Sequence, residues 1–246
     1  MKKNKLLSSS LAYTIGNLLI QGLSFITLPI YTRVMTQEDY GNYNLYGSWV
    51  GIFSIFIGLQ ITGSFSIAKI KYENRFKEYI ATSTSVATIF FILFSTVCLI
   101  FSTYLEKILG FSTGILLFIL IQGYFSHLQG SLSQYYIQTQ ETKKQLILSF
   151  FMSFGNVVLS LLFLFTLKND FLARILGGII PGIVVGIIFL IFIYKNSSVI
   201  LDKMYVRFIL ITSIPLVFHI LGHNLLSQLD RIMIGSYMTP KEVAIY

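Results

Sequence analysis

Cysteine is almost missing from this chain: Cys98 is the single thiol in 246 residues. That excludes an intramolecular disulfide framework and any cysteine-based metal cluster. Cys98 sits in an apolar run, as an inert packed side chain would. Charge is scarce too, at 11% of residues, whereas a soluble domain carries about a quarter because its surface must stay wet. Long polar connections are also missing, which removes a soluble domain, an ATP-binding loop and an extracellular catalytic domain. Any chemistry must therefore take place between helices.

Apolar residues fill the space that charge vacates, making up 54% of the chain. Cutting the sequence at its charged residues leaves seven charge-free runs, at 6–32, 40–68, 79–105, 108–140, 145–167, 175–194 and 208–229. Crossing about 30 Å of hydrocarbon takes about 20 helical residues, and each run is that long. Backbone amides cannot stay unpaired in lipid, so runs of this kind are helices. Ile, Leu, Phe and Val come in blocks rather than alternating, which excludes a β-barrel. The fold class is all-α, a polytopic membrane helix bundle. The first run is too long for a signal-peptide core and ends in no small-x-small cleavage site, so it reads as a retained helix.

Lysine and arginine orient the bundle. With the N-terminus cytoplasmic, one side collects Lys2, Lys3, Lys5, Lys69, Lys71, Arg75, Lys77, Lys143, Lys144, Lys195, Lys203 and Arg207. The opposite loops balance to neutrality, so the whole net charge of +8 falls on that face, against anionic headgroups. This distribution replaces the nucleic-acid reading that a basic protein invites.

An internal echo suggests the architecture. Met35-Thr36-Gln37-Glu38-Asp39-Tyr40-Gly41-Asn42-Tyr43 follows the first span, and Met238-Thr239-Pro240-Lys241-Glu242-Val243-Ala244-Ile245-Tyr246 follows the seventh. At an offset of 203 residues Met, Thr and Tyr are identical, and Asp39 matches Glu242. Six spans separate the copies, so both have the same orientation, as in parallel repeats related by an axis along the membrane normal. The expected division is a six-helix lobe over 1–205 and the first helix of a second lobe over 206–246. The chain reaches Tyr246 where an eighth span is due, so the rest of the second lobe is expected beyond it.

Polar residues are costly in lipid and normally face the protein interior or a wet cavity. His219, His223, Ser227 and Asp230 form one stripe on span seven, ending beside Arg231. Asn17, Gln21, Ser24 and Tyr31 do so on span one, and Ser149, Ser153, Asn156 and Ser160 on span five. Span four carries Gln122, His127, Gln134 and Gln138. The competing reading is interhelical hydrogen bonding, the common use of such residues in membranes. His219 and His223 have no third ligand nearby, which argues against a metal centre. In span six Gly178, Gly182 and Gly186 open a close-packing face, and Pro181 loosens the local ladder.

The Leu28-Pro29-Ile30-Tyr31-Thr32-Arg33 end of span one, the Glu38-Asp39-Tyr40-Gly41 turn and the Asp230-Arg231-Ile232-Met233-Ile234-Gly235 exit from span seven together resemble a known family. The chain resembles the Wzx-type flippases of O-antigen and capsule repeat units, in the multidrug/oligosaccharidyl-lipid/polysaccharide exporter superfamily. It corresponds to about half of a 12-to-14-span member. The resemblance implies transfer of undecaprenyl-diphosphate-linked oligosaccharide across the bacterial inner membrane, by alternating access and without a cofactor. The expected partners are that lipid-linked substrate, the bilayer, a polysaccharide polymerase and chain-length proteins, and no nucleic acid. Candidate substrate contacts are Arg33, Arg174, Arg231, Asn17, Gln21 and His127, cations for diphosphate and polar groups for sugar. Candidate coupling groups are His219, His223 and Asp230. Lys69 and Arg207 are cations at the other face, either transit sites or snorkelling side chains. A cation-coupled small-molecule antiporter of the same superfamily is the alternative, weakened because spans one to six contain no Asp or Glu. A membrane-embedded glycan polymerase or glycosyltransferase is another, weakened by the missing surface loop.

Overall fold

The computed structural model describes residues 14, 16, 18, 21–23 and 25–245. Asn17, Ser24, Tyr246 and the basic N-terminus fall outside these. The helical residues 25–34 form α1. After it come α2 (Gln37–Gly58), α3 (Phe65–Lys71), α4 (Phe76–Ile100), α5 (Ser102–Leu109), α6 (Thr113–Gln138), α7 (Thr142–Thr166), α8 (Asp170–Lys195), α9 (Lys203–Tyr237) and α10 (Pro240–Ile245). No strand occurs among the described residues. The protein is an all-α, multi-pass membrane bundle. Five helices are long and apolar enough to cross a bilayer, or six if the bent pair of α2 and the segment ending in α3 counts as one. The first part of the first expected span, up to residue 13, lies outside the described residues.

Helix α6 is central. It packs on α2 and α8 over a core that includes Tyr46, Ile57, Leu116, Ile119, Leu128, Ile175 and Phe189. Helix α7 is peripheral: 11% of its most apolar window is buried, against 44% for α6 and α8. Its Phe150, Phe154, Leu162 and Phe165 are exposed, a surface that only lipid or another protein would cover. The tightest approach of α7 and α8 is made by Gly177, where an added Cβ would lie 2.5 Å from Ser160 Cα. The Gly182 and Gly186 face is turned toward Phe125 of α6. Gly177, beside the expected stripe, therefore contributes the closest packing.

Two features depart from the charge-based division. The Glu38-Asp39-Tyr40-Gly41 segment is no turn but the first turn of α2. Thr36 caps it, accepting from the Asp39 amide at 3.1 Å while its hydroxyl donates to the Asp39 carboxylate at 2.8 Å. Acidic residues favour a helix N-terminus, so cutting at charge trimmed the helix. Likewise Asp230 and Arg231 do not mark the exit from span seven; α9 runs through them to Tyr237, 35 residues in all. That is about 50 Å at 1.5 Å per residue, more than a bilayer core requires.

Span two is broken. Leu59 and Gln60 both adopt left-handed backbone, with φ of 45° and 50°, and the chain bends by 54° before α3. The break abuts His127, whose Nδ1 lies 2.5 Å from where a Cβ on Gly58 would be.

The echoed segments touch. Thr239 and Glu242 at the start of α10 repeat the hydroxyl-to-carboxylate bond of Thr36 and Asp39, while the amide bond runs the other way, the Thr239 amide donating to the Glu242 carboxylate at 3.1 Å. Gln37 Nε2 donates to the Lys241 carbonyl at 3.2 Å. A Cβ on Gly41 would lie 2.6 Å from the Pro240 carbonyl carbon and 3.3 Å from the amide of Ala244, its own counterpart in the echo. Equivalent residues facing each other are what a two-fold axis between the copies produces.

Candidate functional site

A cavity of about 440 Å³ opens where α1, α2, α6, α7 and α8 converge. Its lining combines Thr27 and Tyr31 of α1, Tyr40, Tyr43 and Asn44 of α2, Gln129 of α6, Ser153 and Asn156 of α7, and Arg174 of α8. Apolar wall is supplied by Leu23, Leu28, Met152 and Val157. The volume falls in the range of small-molecule sites, about 300–1,000 Å³.

Arg174 organises this cavity. Asn169 caps α8 by accepting from the Leu172 amide at 2.8 Å, which starts the helix early enough to place Arg174 in its first turns. Its Nη1 donates to Asn156 Oδ1 and to Ser160 Oγ, each at 2.6 Å. The guanidinium carbon lies 4.1 Å from the Tyr31 ring centroid and 4.6 Å from that of Tyr43. Cation–π contacts of this kind contribute roughly 0.5–2 kcal/mol each, more as water is excluded. The half-buried cation is thus held by two rings and two neutral acceptors. No carboxylate pairs with it; the ion pairs among the described residues are Arg75–Glu78 and Lys144–Glu141. A guanidinium has five N–H donors in a planar fork, and Nε and Nη2 have no protein acceptor among the described residues. The arrangement presents a preorganised donor fork to an anion, beside hydroxyl and amide groups suited to a polar ligand.

Of the six expected substrate contacts, Arg174 alone lies in this cavity. Arg33 and Gln21 are exposed, Asn17 lies outside the described residues, and Arg231 is half-buried on α9. His127 faces Gly58 at the break of α2, with Ser131 Oγ 3.5 Å from its Nε2. His219, His223 and Asp230 occupy exposed positions of α9. That face differs from the one on which Ile209, Ser213 and Val217 are buried. Among the described residues no group of His, Cys, Asp and Glu has the geometry to hold a metal ion.

Several expected stripes are shared between helices as hydrogen bonds. Tyr46 Oη donates to Gln122 Oε1 at 2.6 Å, joining α2 to α6. Gln145 bridges Ser133 and Ser149 at 3.3 and 3.1 Å, joining α6 to α7. Ser48 donates to Gln228 at 2.8 Å, joining α2 to α9. The span-five stripe does both jobs, since Ser153 and Asn156 line the cavity and Asn156 and Ser160 hold Arg174. Tyr40, Tyr43, Asn44 and Gln129 were not singled out from the sequence. The first three were visible there as ring and amide groups three and four residues apart, a spacing that shares a helix face.

Residues 6–246 match the profile of a family described as Polysaccharide biosynthesis protein. No curated protein matches the chain, and neither does any solved structure.

Proposed function

Because the chain belongs to the polysaccharide biosynthesis protein family, we propose that it carries a polyprenyl-diphosphate-linked oligosaccharide between the leaflets of a bacterial inner membrane. Residues 1–205 form the first transport lobe in this reading, and residues 206–246 begin a second. The mutual contact of the two echoed segments supports that division. The N-terminus is cytoplasmic, as the distribution of lysine and arginine favours. Alternating access then moves one lobe against the other and performs no bond chemistry.

The observation that carries the proposal is Arg174 with its open donor fork, in a cavity with no opposing carboxylate. A diphosphate fits that fork, sugar hydroxyls fit Asn44, Gln129, Ser153 and Asn156, and a polyprenyl tail needs only an apolar path along the helices. A cation substrate fits poorly, since the same cavity would repel it. Charge-assisted hydrogen bonds contribute about 1.5–3 kcal/mol each, so loss of the fork should weaken binding by roughly ten- to hundredfold.

The test expresses the full reading frame in a strain lacking its own repeat-unit flippase and follows surface polysaccharide together with lipid-linked glycan retained at the inner leaflet. Wild type restores surface glycan, Arg174→Gln at normal membrane levels does not, and Arg174→Lys restores it in part. Undiminished export by Arg174→Gln removes Arg174 from the path. Failure of the wild type with several lipid-linked glycans, accompanied by efflux of small organic cations, replaces the flippase reading with the antiporter.

A further inference from the structure

A second cavity, of about 470 Å³, lies at the end of the bundle opposite the α2–α10 contact, between the α3–α4 elbow, the end of α6 and the loop after α8. Four cations crowd the elbow within nine residues, Lys69, Lys71, Arg75 and Lys77, and each rests on an aromatic ring. Lys69 Nζ is 5.4 Å from the Phe76 centroid and Lys77 Nζ is 5.9 Å from that of Phe192. Lys71 lies 4.6 Å from Phe208 and Arg75 lies 5.7 Å from Tyr205. The rings under Lys69 and Lys77 belong to one stack: Phe76 is parallel to Tyr135 at 6.0 Å, and Tyr135 meets Phe192 edge-on at 5.7 Å. Snorkelling lysines are free to sweep the membrane surface; these two are placed on a buried aromatic floor on either side of a hollow.

The acids nearby do not cancel them equally. Glu78 is committed, taking Arg75 at 2.5 Å and the Ser198 hydroxyl at 2.8 Å. Lys69 and Lys77 have no ion pair among the described residues, and Glu73 is the other carboxylate in the lining. Asn196 adds a neutral donor to the same wall, because its Nδ2 gives one N–H to the Phe192 carbonyl at 2.7 Å and keeps the other. The Thr139 and Ser198 hydroxyls are already donated to the Tyr135 carbonyl and to Glu78. Next to it is a smaller hollow of about 320 Å³ that shares Glu73, Asn74 and Arg75 and is lined by Ile70 and Met204. Ile67 and Ile70, on the outer face of α3, are 53% and 85% exposed, which leaves an apolar track leading away from a cationic pocket. Helix α3 is set at 54° to α2, an inclination suited to the boundary between headgroups and hydrocarbon.

We propose that this elbow is a binding site for the phosphate-bearing headgroup of a membrane lipid. Lys69 and Lys77 clamp the phosphate, the second N–H of Asn196 Nδ2 bonds one of its oxygens, and the chain of the lipid runs along Ile67 and Ile70. The shared chemistry is a lipid-borne phosphate, supplied by an anionic phospholipid or by a polyprenyl diphosphate. The site stands apart from the Arg174 cavity, and its occupancy can be measured without transport.

The experiment is native mass spectrometry of the delipidated protein in neutral detergent, titrated separately with phosphatidylglycerol, undecaprenyl diphosphate and inorganic pyrophosphate. Lys69→Gln with Lys77→Gln is expected to lower lipid affinity about tenfold or more. Lys143→Gln with Lys144→Gln, which removes the same charge elsewhere on that face, should change it less than about twofold. Glu73→Gln should raise it, and Lys69→Arg with Lys77→Arg should retain it. Tighter binding of phosphatidylglycerol identifies a structural phospholipid site, and tighter binding of undecaprenyl diphosphate identifies a reception site for substrate. Equal losses in the two glutamine pairs would reduce the effect to diffuse surface charge and overturn the proposal. So would unchanged affinity in Glu73→Gln, or pyrophosphate binding as tightly as either lipid.

Discussion

Gly41 and Gly47 are six residues apart on α2, and one of them cannot bear a side chain. A Cβ on Gly41 would lie 2.6 Å from the Pro240 carbonyl carbon, whereas a Cβ on Gly47 would meet nothing within 4 Å. Carbon contacts settle near 3.5–4.0 Å, so an alanine at 41 forces α2 and α10 apart by about an ångström. Both partners at that point are backbone, which cannot rotate away. Overpacking of this kind costs about 1–3 kcal/mol. Helix α10 has six residues and is held by the buried Val243 and by the Gln37–Lys241 hydrogen bond. Those contribute about 1.5 kcal/mol for the valine and about 1 kcal/mol for the bond. The strain is comparable to what retains α10, so Gly41→Ala should partly release it. Gly47→Ala meets no obstacle and should stabilise by about 0.5–1 kcal/mol through helix propensity. The assay is disulfide trapping of Gln37→Cys with Lys241→Cys in native membranes, with thermal unfolding alongside. Trapping should fall severalfold in Gly41→Ala and stay at the parental level in Gly47→Ala. Equal trapping and equal stability in the two variants would refute the contact, and with it the echo as a physical pairing.

Three further outcomes follow from the same packing. Gly177→Ala should destabilise by roughly 1–3 kcal/mol, because the Ser160 backbone stands in its way, and Gly178→Ala should be near neutral with its nearest neighbour 3.4 Å off; thermal unfolding in detergent separates them. Glu106 accepts from the Thr113 hydroxyl and amide at 2.6 and 2.5 Å, and these bonds hold its carboxyl below the usual range. A carboxyl lowered in the folded state stabilises above its unfolded pKa and loses that contribution as pH falls through the folded value. Protection factors across 102–113, taken relative to the intrinsic rate at each pH, should therefore fall on acidification below the carboxylate range, and Glu106→Gln should show low protection at every pH. Gln60→Gly should stabilise by about 1 kcal/mol, since glycine accepts left-handed backbone that costs other residues about that much, and Gln60→Val should destabilise; a loss of stability in Gln60→Gly would contradict the backbone observed there.

The membrane class and the existence of spans two to seven were legible because hydrocarbon imposes length and apolarity on each helix separately. Helix ends were less legible where charge is part of the helix. Thr36 with Asp39, and Asn169 with Asp170, open helices with the acids that a charge-based cut discards, and α9 carries Asp230 and Arg231 in its body. The bend at Leu59–Gln60 has no glycine or proline at the two residues that adopt it, and Gly58 just before it is one of several glycines in the same run, so the sequence does not single it out. In the cavity, spacing picks out Asn156 and Ser160 as one face of one helix, and charge picks out Arg174 as a candidate cation for diphosphate. Spacing gives a face but not the face opposite it. The stacking of Tyr31 and Tyr43 on Arg174 is a meeting of three helices, and it was invisible until those helices were packed. For the same reason Arg33 and Gln21, equally plausible by type, are exposed instead.

The first turns of α2 border both the Arg174 cavity and the contact with α9 and α10. Tyr40, Tyr43 and Asn44 line the Arg174 cavity, while Gly41, Leu45 and Ser48 meet α10 and α9 through the Pro240 carbonyl, Gly235 and Gln228. On a helix at 100° per residue these are adjacent faces of one rigid rod. In the proposed transport cycle, a ligand that competes with Tyr43 for Arg174 would displace α2. The Gly41–Pro240 approach has no slack to absorb that movement, because backbone faces backbone. In that cycle α2 joins the cavity to α9 and α10, and coupling between the two is what the Gly41 and Arg174 variants measure. Relaxing that approach by enlarging Gly41 should accordingly impair transport more than it impairs ligand binding, a separation that loss of Arg174 would not produce.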